Sequence, residues 1–371
     1  MSSKIRVLFY SIVPSPYQRD LFLALSQHPS LQLTVCYLEA ASPDSPWPDR
    51  PLQPYESILP GFWIAWGQSR FHFNWHPIDF QQYDAIILNG YQHSIAQILA
   101  RTVPKHIPLI FWGEQLQEQF GGLKGWLQKL SSRMLKRCDA IVAIGSKAQA
   151  DYQRRFPDKP VFNIPYYCDL TPFQQNIPDR PRNPVTILFC GQMIYRKGVD
   201  LLLKAFEELI LSGYQARLLL VGREAELPQM LEAIDPKVLP SIEYAGFQPP
   251  ECLPDFFDQG DIFVLPSRYD GWGVVMNQAL GAGLPLICST AVGSAYDLLD
   301  PEVNGYLIPL ADHKNLLFKT LELYLNNPYL IKEASQKSHF RSEVWTPQIG
   351  AKNWASTIQT AINITKDKSI L

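Results

Sequence analysis

The sequence predicts an α/β protein of two Rossmann-like domains facing across a cleft, on three observations. The chain has 371 residues, more than one hydrophobic core normally holds. Short apolar runs alternate with amphipathic ones through both halves, as parallel strands covered by helices on both faces do. A Pro-rich interruption from Pro165 to Pro184, with Pro172, Pro178 and Pro181 inside it, splits the series in two. Proline sustains neither a ladder nor a helix interior, so this stretch is expected to be a linker.

The first domain, residues 1–170, offers strands at Ile5–Tyr10, Leu33–Leu38, Ala85–Leu88, Leu109–Trp112 and Ala140–Ile144, with helical patterns at Ser94–Thr102 and Trp126–Arg137. The second, residues 171–345, offers strands at Val185–Cys190, Leu218–Val221, Ile242–Tyr244, Ile262–Leu265 and Leu286–Cys288. Helices are expected between them at Val199–Leu211, Pro250–Gln259, Val274–Ala282 and Asn315–Leu325. Residues 346–371 read as a final helix, Thr346 to Ile364, anchored by Trp345 and Trp354. Ser42–Asn74 breaks the pattern: Pro43, Pro46, Pro48, Pro51, Pro54 and Pro60 alternate with Trp47, Trp63, Trp66, Phe71 and Phe73. Such a stretch is either a packed loop or an acceptor-binding loop.

Composition narrows the function classes. At 46% hydrophobic and 18% charged residues the chain is globular, not disordered. Lys and Arg number 33 against 35 Asp and Glu, so no global basic field exists for nucleic acid. The six cysteines lack C-x-x-C spacing and read as buried thiols of a reducing compartment. The seven histidines are scattered and no metal site is indicated. No G-x-G-x-x-G follows the first strand, which argues against a dinucleotide cofactor. Without a run of ~18 apolar residues or a signal-peptide pattern, the expectation is a cytoplasmic protein, with peripheral contact at the inner membrane face left open.

Chemistry concentrates at strand ends. After Ile262–Leu265 comes Asp270-Gly-Trp-Gly-Val-Val-Met-Asn-Gln278, where glycines flank Trp272 and a helix begins. The amides of Gly273, Val274 and Val275 at that helix start suit a diphosphate. Gln278, one turn on, could reach a ribose hydroxyl, and Asp270 could accept bonds from sugar hydroxyls. After Val185–Cys190 comes Gly191 and then Arg196-Lys197-Gly198-Val199-Asp200. A fixed guanidinium and ammonium there would stabilise the charge growing on a leaving diphosphate. Glu114, closing Leu109–Trp112, could contact the sugar or deprotonate an acceptor hydroxyl, or else cap a helix. His93, after Ala85–Leu88, is an acceptor-side candidate. In the first turn, Pro14-Ser15-Pro16 leaves few N–H donors, and Arg19 either supplies charge or forms a structural ion pair.

These motifs, in this order, resemble the retaining glycosyltransferase family 4, the glycosyltransferase group 1 domain, from Val185 to about Ala311. The matching residues are Gly191 with Arg196 to Asp200, Val221-Gly222, Ala245-Gly246-Phe247, Asp261 with Leu265-Pro266-Ser267, Asp270 to Gly273, Gly283-Leu284-Pro285, and Gly293 with Asn304-Gly305. The resemblance implies a GT-B fold and metal-independent transfer of a sugar, with retention, from a nucleotide-diphosphate donor to a glycan or lipid-linked acceptor in polysaccharide or glycolipid synthesis. It also implies that Arg196 and Lys197 contact the diphosphate, that Asp270 holds the sugar, that Gly222, Arg223 and Phe247 flank the base, and that the last helix crosses back to the first domain. The family's Glu-x7-Glu reads Asp270-x7-Gln278 here. The missing second charge keeps a second reading open, a homologue that binds nucleotide sugar or glycan without catalysis.

Overall fold

The computed structural model describes residues 4–41, 50–66, 69–116, 122–175 and 179–370. It divides into two compact units, Met1–Cys168 with Pro347–Leu371, and Asp169–Thr346.

The first unit is built on strands β1 (Ile5–Ser11), β2 (Leu31–Tyr37), β3 (Glu56–Ile58), β4 (Gly61–Trp66), β5 (Ser69–Asn74), β6 (Ala85–Asn89), β7 (Leu109–Gly113), β8 (Ala140–Ala143) and β9 (Val161–Asn163). Seven of these form a parallel sheet in the order β3-β2-β1-β6-β7-β8-β9. The order reverses between β1 and β6, which opens a crevice at their carboxyl ends. The middles of the central strands are apolar because helices cover both faces; Val7 to Tyr10 and Ala85 to Leu88 are all buried.

The stretch expected as one irregular segment is more ordered than its prolines imply. It contains the short edge strand β3 and an antiparallel hairpin, β4–β5, in which Phe62 stacks on Phe73 with centroids 5.3 Å apart. Residues 42–49, with Trp47, lie outside the described residues. Proline is tolerated because these strands sit at an edge or in a separate ribbon.

The second unit adds β10 (Val185–Cys190), β11 (Ala216–Val221), β12 (Ile242–Gly246), β13 (Ile262–Leu265), β14 (Leu286–Ser289) and β15 (Gly305–Ile308), all parallel, ordered β12-β11-β10-β13-β14-β15. Its switch point falls between β10 and β13. Helix Val199–Leu211 follows β10 and helix Val275–Gly281 follows β13.

The Pro-rich stretch is no free linker beyond Cys168. Thr171–Gln174 is a helical turn of the second unit. Arg180 is buried there and donates to the carbonyls of Gly260 (2.8 Å) and Ala282 (2.9 Å). Burial pulls its pKa down to about 10. Three carbonyls replace the water that a guanidinium loses, which pins the segment preceding β10. The final helix, Pro347–Ile370, packs on helix Pro16–Gln27 of the first unit. Its Trp354 is fully buried, edge-on to Phe9 (5.1 Å) and Trp112 (5.4 Å), whereas Trp345 lies 6.3 Å from Trp272 in the second unit. No helix among the described residues is long and apolar enough to cross a membrane.

Candidate functional site

The site assembles at the switch point of the second unit from four loops. The loop after β10 turns through Gly191 into a short 3-10 turn, Tyr195–Lys197, and enters the next helix at Gly198. Gly198 has φ 72°, and a Cβ there would fall 2.1 Å from the Pro266 carbonyl oxygen of the loop after β13. Gly222, at the end of β11, has φ 136°, and its Cβ would fall 1.9 Å from the Gly191 oxygen. Both positions need glycine because backbone runs against backbone there. The Gly191 N–H donates to Val221 O at 2.8 Å and the Gly222 N–H to Gly246 O at 2.8 Å, so the first three loops are laced together.

This lacing places charges that are 73 residues apart in the sequence side by side. Lys197 Nζ lies 2.5 Å from Asp270 Oδ2, both side chains largely sequestered. The adjacent Arg196 donates to Tyr269 O at 2.9 Å. A Cβ on Gly273 would lie 3.4 Å from the Asp270 carboxylate, so the Asp-Gly-Trp-Gly loop folds back on its own acid. The Gly293 N–H donates to Asp270 O at 3.0 Å and fixes the backbone of that acid.

Sequence reasoning missed the brace behind this pair. Arg268 holds Asp200 through two bonds, 2.7 and 2.8 Å, donates to Tyr195 O at 2.6 Å, and lies 3.6 Å over the Tyr195 ring. Its own N–H donates to Arg196 O at 2.8 Å. Donating to the Asp200 carboxylate raises the Arg268 pKa. From the other side, Glu226 accepts the Tyr195 N–H at 2.8 Å. Every bond grips the turn that presents Arg196 and Lys197. The local signal existed, since Asp200 follows Lys197 by three and Arg268 precedes Asp270 by two, but pairing them needed the fold.

Helix Val275–Gly281 starts after Val274 without a side-chain cap. Met276 N–H donates to Gly273 O and Asn277 N–H to Val274 O, each at 2.9 Å. The amides of Gly273, Val274 and Val275 have no backbone acceptor among the described residues. Trp272 is buried and donates to Asn277 Oδ1 at 2.8 Å, which locks the loop to the helix. Gln278 is half-buried one turn on. Arg223 follows Gly222 and its carbonyl accepts the Met193 N–H; Phe247, after β12, presents an exposed ring. The structure therefore brings Gly191, Arg196, Lys197, Gly222, Asp270 and Gly273 together, with Val274, Val275 and Gln278 on the adjoining helix start.

Glu114 belongs to the first unit. It follows β7, and its carbonyl accepts the Tyr152 hydroxyl at 2.7 Å. Burial and then the Glu114 charge raise the pKa of the buried Tyr166. The switch point of this unit holds a neutral network: Ser11 (2.8 Å) and Ser15 (3.0 Å) both donate to Gln18 Oε1, and Asn89 donates to Trp112 O at 3.2 Å. Tyr166 hydrogen-bonds to Gln18 and Asn89. His93 is a structural cap, not an acceptor-side base: Nδ1 accepts the Ala96 N–H at 3.2 Å and Nε2 lies 3.3 Å from Asn89 O. Burial lowers its pKa to about 4. Arg19 supplies no charge to this crevice, because it is spent on Glu56 (2.6 and 2.9 Å) and Pro51 O (2.7 Å).

Comparison with known proteins agrees with this architecture. Residues 184–326 match the family model described as Glycosyl transferases group 1. An uncharacterized glycosyltransferase of Haemophilus influenzae is 27% identical over 56% of this chain and 57% of its own. The amylovoran biosynthesis glycosyltransferase AmsK of Erwinia amylovora is 27% identical over 41% of this chain and 39% of its own. The matches thus span about half or less of these relatives. The solved sucrose-phosphate synthase of Thermosynechococcus elongatus superimposes with a TM-score of 0.72 at 18% identity, covering 96% of this chain and 99% of that one. The fold is the GT-B type, with two Rossmann-like halves.

Proposed function

We propose that this chain, whose residues 184–326 match the glycosyl transferases group 1 model, transfers a sugar from a nucleotide-diphosphate donor to an acceptor hydroxyl with retention of configuration and without a metal. The observation that carries this reading is the Lys197–Asp270 pair beside Arg196, held at the switch point by the Arg268 brace. The cations offer charge to a diphosphate, and the acid offers an acceptor to sugar hydroxyls. The amides of Gly273, Val274 and Val275 extend the anion site, and Gln278 would meet the ribose. Gly191 and Gly222 bring the loops after β10 and β11 together backbone to backbone beside the donor, with Arg223 and Phe247 beside the base.

The bond between the anomeric carbon and the phosphate oxygen breaks as the acceptor oxygen bonds the same carbon from the same face. The acceptor proton passes to the leaving phosphate. Arg196 and Lys197 stabilise the negative charge that grows there, and Glu114 is assigned to the sugar or the acceptor hydroxyl. The likeness to AmsK supports a polysaccharide or glycolipid product. The exposed rings of Phe62, Trp63 and Phe73 on the β4–β5 hairpin would stack on acceptor sugars.

The test is turnover of labelled nucleotide sugars, with nucleotide release and product anomer followed by NMR. An inverted product would sink the mechanism. Nucleotide binding without turnover on any acceptor would favour the non-catalytic reading that the neutral Gln278 motivates.

A further inference from the structure

Trp345, which the sequence assigns as an anchor of the final helix, lies instead against the loop from Asp270 to Gly273. In that loop Trp272 is flanked by Gly271 and Gly273, and Gly273 has φ 84°. Two glycines give a backbone little stiffness of its own, so the course of the loop rests on the ring between them. That ring is buried. Its Nε1–H donates to Asn277 Oδ1 at 2.8 Å, and the half-buried Trp345 ring packs on it, centroids 6.3 Å apart and planes tilted by 41°. Ser294 N–H donates to Trp272 O at 2.9 Å and holds the backbone behind the ring.

Trp345 is fixed in turn by the segments through which the chain enters and leaves the second unit. It precedes Thr346, where that unit ends, and its N–H donates to Ser342 O at 3.0 Å, at the close of helix Pro328–Ser342. Ser342 Oγ accepts Gln174 Nε2 at 2.8 Å, from the turn Thr171–Gln174 just inside the start of the unit at Asp169. The same two segments grip the far end of helix Val275–Gly281. A Cβ on Gly281 would fall 3.2 Å from Leu170 Cβ and 3.3 Å from Phe173 Cβ, and Ser335 Oγ donates to Gly283 O at 2.6 Å. The helix is held behind by the elements that carry Trp345 to its front.

We infer that Trp345 is a positioning residue for the donor: through the Trp272 ring it sets the seat of Asp270 and of the Gly273, Val274 and Val275 amides. This rests on the donor site proposed above. Amides aimed at a phosphate are effective when their geometry is fixed before the ligand arrives, which takes support from side chains behind them. Trp345 acts only through Trp272, so its loss loosens the loop and weakens donor binding while the sheet beneath stays intact. A residue that merely packed would lower the melting temperature and leave the loop and the donor affinity unchanged.

The experiment pairs hydrogen exchange with calorimetry on the full chain. Without ligand, Trp345→Ala is expected to speed exchange across Asp270–Gln278 by about tenfold, with Val185–Cys190 of β10 unchanged and Trp345→Phe near wild type. UDP, GDP and ADP are then titrated. For whichever the wild type binds, Kd should rise about five- to tenfold in Trp345→Ala and stay within about twofold in Trp345→Phe, which keeps an aromatic ring. Trp345→Leu, which keeps apolar volume without the ring, makes the same test should the alanine variant not fold. Unchanged loop exchange overturns the inference, as does an unchanged Kd or a loss of protection that extends to β10. Faster loop exchange with none of the three nucleotides bound by the wild type supports the link from Trp345 to the loop and overturns the donor site itself.

Discussion

The two sheets share a topology and differ in what they place at its switch point. In the second unit the strand order reverses between β10 and β13, and the crevice is lined by Arg196, Lys197, Arg268, Asp200 and Asp270. In the first unit it reverses between β1 and β6, and the crevice holds a neutral network of Ser11, Ser15, Gln18, Asn89 and Tyr166 with a single carboxylate, Glu114, near Tyr166. Parallel α/β folding supplies the crevice in both cases; the loop residues decide its chemistry. Fixed charge suits a diphosphate, whereas hydroxyls and amides that give and accept suit a polyol such as an acceptor sugar.

Removing charge from the second crevice should break this contrast most. Lys197→Ala is expected to lower kcat/KM for nucleotide release by about 10²–10³-fold, with Lys197→Arg retaining part of the loss. A value within threefold of wild type would show that the charged loops are not the phosphate site. Next in size is Gly222→Ala. Its Cβ meets the Gly191 oxygen at 1.9 Å at a φ of 136°, so the loops must part. The expected cost is about 2–4 kcal/mol, a fall of roughly 5–15 °C in Tm. Gly213→Ala, also at positive φ but facing open space, is the control and should lose less.

In the first crevice the informative group is His93, whose neutral ring bridges the helix start and Asn89 O. Its pKa falls from 6.5 to about 4 because burial disfavours the cation. The unfolded state therefore binds the proton first. Stability from this group is complete above pH 6.5 and is lost as the pH falls toward 4. At about 1.4 kcal/mol per pH unit, the loss is on the order of 3 kcal/mol. Denaturant melts across that window should flatten in His93→Asn, which keeps a capping acceptor. An unchanged slope would remove His93 from the account.

Most strands of both sheets were legible because a strand buried on both faces must be apolar at nearly every position. Val185–Cys190, Ile262–Leu265 and helix Val199–Leu211 stand where their sequence places them. The β4–β5 hairpin was not legible, because exposed Phe62, Trp63 and Ile64 follow no in-and-out alternation. Helix Pro328–Ser342 was missed because its buried positions include Ser335, Ser338 and Ser342. At the site, adjacent motif residues such as Arg196, Lys197 and Asp270 could be named from the sequence. Arg268 could not be joined to Asp200, nor Arg19 to Glu56, since ion pairs between loops leave no periodicity to read.

The finest test of the contrast concerns Gln278, the neutral residue inside the charged crevice. It is half-buried one turn into helix Val275–Gly281, beyond the Gly273, Val274 and Val275 amides that would hold phosphate. A glutamine offers a ribose diol one acceptor and one donor. A glutamate offers two acceptor oxygens, and hydrogen bonds to a charged group are stronger by about 1 kcal/mol. Gln278→Glu is therefore expected to lower the donor KM about fivefold, with kcat little changed, because a ribose contact is the same in ground and transition states. If instead kcat rises with KM constant, residue 278 acts on the reacting centre, and the division of this crevice into sugar, phosphate and ribose positions fails. If the donor KM rises, repulsion of the added carboxylate by the diphosphate outweighs the ribose bond, and the helix start lies nearer the phosphates than the ribose.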